Sequence, residues 1–60
     1  MLEPEAKSLK PGDRLIYRIE DVELAQGAVK KLHWAAFTVL WDDGMEQVVS
    51  YHEAHYIERL

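Results

Sequence analysis

The chain contains no cysteine, so neither a disulfide nor a thiolate-bound zinc ion can staple it. Its stability has to come from burial or association. No apolar run approaches the ~20 residues needed to cross a bilayer. The opening Met1-Leu2-Glu3-Pro4-Glu5 also lacks the basic and then apolar pattern of a secretory signal. A cytoplasmic location without membrane contact is the expectation. Positive charge is scarce as well: 7 Lys and Arg face 11 Asp and Glu, giving a net charge of -4 with acids spread from Glu3 to Glu58. A surface of that kind has no uniformly basic face on which to collect phosphates, so a nucleic-acid partner is disfavoured. Lys30 and Lys31, with Lys7, Lys10 and Arg14, read as solvated side chains. No serine or threonine is paired with a recognisable base and no glycine-rich phosphate loop occurs, so catalytic machinery is not visible.

What is present suits a folded domain. A content of 48% hydrophobic and 30% charged residues is that of a globular chain rather than a disordered tail. At 60 residues there is room for one domain, near the lower edge of what folds without staples. Self-association that buries a further apolar face would relieve this.

Residues 1–9 carry Pro4 and alternating charge without apolar periodicity, and read as a loose leader or a short helical turn. Residues 10–60 form the domain. Lys10-Pro11-Gly12-Asp13 has proline and glycine at the central positions of a type II turn, which fixes φ at the first and requires it positive at the second. The β-prone Leu15, Ile16, Tyr17 and Ile19 then predict a strand over 13–20. Asp21 to Gln26 is acidic, ends at Gly27 and is too short for a stable helix, so it reads as a loop. A second strand is expected from Gly27 to about Trp34, with Val29, Lys31 and His33 on one face and Lys30, Leu32 and Trp34 on the other.

Phe37-Thr38-Val39-Leu40-Trp41 is the most β-prone stretch, and Asp42-Asp43-Gly44 follows it directly. An Asp-Gly pair between β-prone runs signals a hairpin. With Asp43 and Gly44 as a two-residue loop, Trp41 lies opposite Glu46, Val39 opposite Val48 and Phe37 opposite Ser50, which makes Phe37, Val39, Trp41 and Val48 the expected core. The other face then carries Leu40, Val49 and Tyr51, with Trp34 beside them. His52-Glu53-Ala54-His55 suits a single 3₁₀ turn, and Tyr56 to Leu60 a last short strand. His52 and His55 lie three apart, without the spacing of a helical zinc site and without a locatable third ligand, so no metal site is assigned.

Lys10-Pro11-Gly12-Asp13-Arg14-Leu15, Gly27-Ala28-Val29, the run from Phe37 to Gly44 and the closing Ile57-Glu58-Arg59-Leu60 resemble successive landmarks of Tudor-like and related SH3-like barrels. The resemblance implies an all-β, five-stranded SH3-like barrel with a short 3₁₀ turn before the last strand. It also implies an aromatic cage for a methylated lysine or arginine, for which Tyr17, Trp34, Trp41, Tyr51 and Tyr56 are the available rings. Aromatics at strand spacing belong more often to a core or an interface. Gly12-Asp13-Arg14-Leu15 and Ile57-Glu58-Arg59-Leu60 are more distantly similar to type II dihydrofolate reductases, short barrels that assemble around a shared pore. Val49 stands where that family has its pore glutamine, so the reductase reading falls behind.

The reading is therefore a small non-catalytic binding or assembly module without a cofactor. Its partner is expected to be a protein or a second copy, with a small molecule left open. The surface expected to act comprises Tyr17, Trp34, Leu40, Val49 and Tyr51.

Overall fold

The computed structural model describes residues 1–60 as an all-β chain in which a short helix precedes five antiparallel strands. The elements are α1 (Glu3–Ala6), β1 (Arg14–Ile19), β2 (Val22–Leu32), β3 (Ala36–Trp41), β4 (Glu46–Ser50), a 3₁₀ turn (Tyr51–Glu53) and β5 (Ile57–Arg59). Strands β1 to β4 form a meander, and β5 returns to pair with β1, giving the order β4-β3-β2-β1-β5. The sheet stays open, with β4 and β5 as its two edges.

The turn before β1 forms as the sequence predicts. Asp13 N–H donates to the Lys10 carbonyl at 3.0 Å, and Gly12 holds a φ of +93°. The Lys10 N–H also donates to the Asp13 carboxylate at 2.9 Å.

The segment from Asp21 to Gln26 is not a loop. Glu20 and Asp21, with φ of 49° and 67°, make a two-residue reversal, and Val22 to Gln26 pairs with β1 as the first half of β2. Both central residues have the positive φ of a type I′ hairpin turn, although neither is glycine. Cross-strand pairing with Arg18, Tyr17 and Ile16 overrides the weak helical propensity of the segment. The resulting β2 lends its first half to β1 and its second half to β3, and Gly27 pairs with both Leu15 and Trp41. A Cβ on Gly27 would lie 2.6 Å from the Leu40 carbonyl oxygen, so glycine is what allows this approach. Irregularities at Tyr17/Arg18 and at Val29/Lys31 bend the sheet around this point, and the second of them undoes the simple alternation expected between Gly27 and Trp34.

The second hairpin corrects the expected register. Gly44 N–H donates to the Trp41 carbonyl at 2.9 Å and Trp41 N–H to the Met45 carbonyl at 2.8 Å, so the loop is Asp42-Asp43-Gly44. Gly44 sits at φ +93°, the left-handed position that closes a three-residue loop with a bulge. Phe37 consequently faces Val49, Val39 faces Gln47, and Thr38 faces Val48. A one-residue slip exchanges the faces of β4. Val49 enters the core at 6% exposure, and Val48, expected inside, is 66% exposed.

The core comprises Leu15, Val29, Phe37, Val39, Trp41, Val49, Tyr51 and Ile57, completed by Ala6, Leu9 and Ala54. Residues 1–9 thus form the short helical turn, one of the two expected alternatives, and it is packed rather than loose. Ala6 and Leu9 bury their side chains in the core, α1 lies against the 3₁₀ turn, and the Met1 amine donates to the carbonyls of Ala54 at 2.8 Å and Ile57 at 2.9 Å. An open sheet leaves the end of its apolar face uncovered, and these two side chains close it without needing a longer apolar pattern. The 3₁₀ turn and the last strand form within two residues of their expected bounds. No helix is long and apolar enough to cross a membrane.

Candidate functional site

Between β2 and β3 the chain reverses over His33 to Ala36, and this reversal carries Trp34. His33 N–H donates to the Ala36 carbonyl at 2.8 Å, closing the turn. Tyr51, buried against Phe37 at a ring separation of 5.6 Å, donates its hydroxyl to the His33 carbonyl at 2.9 Å. Its N–H reaches the Ala35 carbonyl at 3.3 Å. The His33 imidazole Nε2 and the Thr38 hydroxyl share a 2.8 Å hydrogen bond whose direction follows the ring tautomer. The loop is therefore fixed to the core through several bonds, while the indole of Trp34 is 97% exposed.

Beside the indole lies a groove of about 280 Å³. It is lined by Trp34 and Ala35 of the loop, by Tyr51 and His52 of the 3₁₀ turn, and by Glu3 and Lys7 of the N-terminal turn. Glu3 and Lys7 pair with each other at 3.1 Å, so the lining carries both signs of charge. The groove sets an exposed indole next to polar groups that can orient a ligand. It contains no nucleophile with a base, and no three metal-ligating side chains gather anywhere in the molecule.

The structure brings together only two of the surface residues expected from sequence, Trp34 and Tyr51. Tyr51 contributes as a buried lining residue, at 7% exposure, rather than as an exposed anchor. Val49 belongs to the core because of the register change, and Leu40 lies on the opposite face of the sheet, 41% exposed. Tyr17 is half-buried against Trp41, with ring centroids 6.1 Å apart. The rings proposed for a cage therefore do not converge: Tyr17 pairs with Trp41, Tyr51 packs on the core residue Phe37, and Trp34 and Tyr56 belong to neither pair. Sequence reasoning missed Glu3, Lys7 and Ala35. The only signals from the N-terminal turn were the apolar Ala6 and Leu9, three apart, which dock it here.

Away from the groove, Arg14 and Asp42 form a bidentate pair at 3.1 and 2.9 Å, which ties the β3–β4 loop to β1. The hydrogen bond from Arg14 holds the Asp42 carboxyl below its ordinary 3.8, and the same bond raises the Arg14 guanidinium.

Compared with protein-family models, curated proteins and solved structures, the chain matches none.

Proposed function

We propose that this chain is a small, non-catalytic SH3-like module that binds a protein partner through Trp34 and the groove beside it. The fold reading is supported by the meander, the 3₁₀ turn between β4 and β5, the return of β5 to β1, and a long β2 shared by both halves of the sheet. One observation carries the functional reading: a tryptophan exposed at 97% on a loop that the core holds rigid. Exposing a large apolar ring is unfavourable in a chain with so little surface to bury, and tryptophan on a rigid support is the side chain that most often anchors an interface. The partner presents an apolar side chain to the indole and polar groups to Glu3 and His52. The net charge of -4 keeps nucleic acid out of this reading, and a cytoplasmic setting goes with it.

Peptide-library selection against the folded protein tests the proposal, with intrinsic fluorescence as the readout. Trp41 is buried and Trp34 exposed, so a genuine ligand shifts the emission of Trp34 to shorter wavelength. Trp34→Ala is expected to remove that shift and weaken binding at least ~30-fold, the ratio that corresponds to a hot spot of about 2 kcal/mol. Binders that leave the emission unchanged, or that bind Trp34→Ala equally well, overturn it.

A further inference from the structure

The sheet has two edges, and they are finished differently. β5 is short, and Glu58 and Arg59 put charges along it. Proteins commonly protect edge strands in this way against pairing with another chain, or use lysine, proline or bulges. β4 is the less protected of the two: it is longer, and its single charge, Glu46, stands at its first residue and is paired with Lys30. Glu46-Gln47-Val48-Val49-Ser50 contains no lysine and no proline, and its pairing with β3 runs without the irregularities that interrupt the other two hairpin ladders.

Backbone geometry defines what this edge can accept. Met45 bonds to Trp41 and Tyr51 bonds to Ala35, so the odd-numbered residues of β4 face β3. In an antiparallel ladder the alternate residues then point their N–H and C=O groups outward. These are Glu46, Val48 and Ser50, and no side chain or loop bonds to their backbone groups. The first half of β2 is a poorer template: the Gln26 carbonyl already accepts from the Asp42 N–H, and the strand is bulged against β1.

We infer that β4 is a self-pairing edge, at which two copies of this chain join their sheets antiparallel about a two-fold axis through Val48. The register centred on Val48 is the one that overlaps all of β4. It sets Val48 against Val48 of the second copy and Glu46 against Ser50, so that every outward N–H and C=O meets its complement. No like charges face each other directly. Glu46, the only charged residue of the strand, is neutralised by Lys30 at 2.9 Å, so the edge is electrically quiet in a molecule that carries -4 overall. Val48, 66% exposed, then packs on its counterpart, on the same sheet face as Leu40. The seam buries less than the roughly 1,200 Å² of stable complexes, so association is weak and depends on concentration.

Sedimentation equilibrium from micromolar to millimolar concentration tests this on the intact chain. The wild type is expected to rise from 7.0 kDa towards twice that mass, with the amides of Val48 and Ser50 gaining hydrogen-exchange protection in step. Val48→Lys is expected to stay at the monomer mass with unchanged circular dichroism, because the side chain is exposed, while Trp34→Ala dimerises like wild type. A wild type that remains monomeric throughout, a Val48→Lys protein that still dimerises, or a dimer lost with Trp34→Ala overturns the inference. The last outcome would place the seam at the groove instead, and failure at β4 leaves the Trp34 reading to its own peptide test.

Discussion

The two hairpin turns of this molecule invert what their residues advertise. The β3–β4 turn has the Asp-Gly pair of a two-residue reversal, yet it uses three residues, with Gly44 in the left-handed position. The β1–β2 turn has no glycine, yet Glu20 and Asp21 achieve the tighter reversal with both φ angles positive. Turn chemistry thus announces that a reversal is near without fixing its length. What decides the length is which face of the following strand the core requires. In the second hairpin the three-residue loop buries Val49 and the two-residue loop would have buried Val48. Only the first arrangement places a β-branched side chain against Phe37.

The largest effect follows from that choice. Val49→Asp is expected to abolish folding, since an unpaired carboxylate would lie beside Phe37 and Tyr51 in a core too small to rearrange; a cost above ~4 kcal/mol is anticipated. Val48→Asp is expected to change stability of the monomer by less than about 0.5 kcal/mol. Urea denaturation of both variants at low concentration checks the pair, and the opposite ranking would restore the two-residue loop.

A smaller effect separates the turns themselves. Gly44→Val is expected to destabilise by ~1–2 kcal/mol through strain alone, because nothing lies within 4 Å of a Cβ placed there. Glu20→Gly should act in the other direction and stabilise by up to about 1 kcal/mol, by relieving a left-handed glutamate. Thermal melts of the two variants measure both signs, and a destabilised Glu20→Gly protein would mean that the turn is held by something other than its φ angles.

The smallest effect concerns the tie between the β3–β4 loop and β1. Asp42 titrates below its ordinary 3.8 because Arg14 donates to it. A lowered folded-state pKa contributes stability that is present above the unfolded value and is lost as the pH falls through the folded one. The pair is exposed to solvent, so the contribution is slight. Carbon-detected NMR titration should find the Asp42 carboxyl shifted down in the wild type and back in its ordinary range in Arg14→Ala.

Features encoded by adjacent residues were legible in the sequence. Pro11-Gly12 specified its turn, Leu15 to Ile19 and Phe37 to Trp41 specified strands, and the polar run after Tyr51 its 3₁₀ turn. Features that depend on distant partners were not. Asp21 to Gln26 looks like a loop until β1 lies beside it, and residues 1–9 look idle until the end of an open sheet needs Ala6 and Leu9. The site divides the same way: Trp34 and Tyr51 stood out as aromatics, whereas Glu3 and Lys7 join them only through the docking of the N-terminal turn.

The return of β5 to β1 also sets an order of events. Every other strand pairs with its neighbour in sequence, so three hairpins can close over short loops, while β5 must find β1 across about two thirds of the chain. Closing a long loop is the entropically expensive step and is expected late, after the barrier. Weakening that ladder, for example with Ile57→Val, should then leave the refolding rate almost unchanged and appear as faster unfolding. The lifetime of the folded molecule, more than the speed at which it forms, rests on this shortest of its strands.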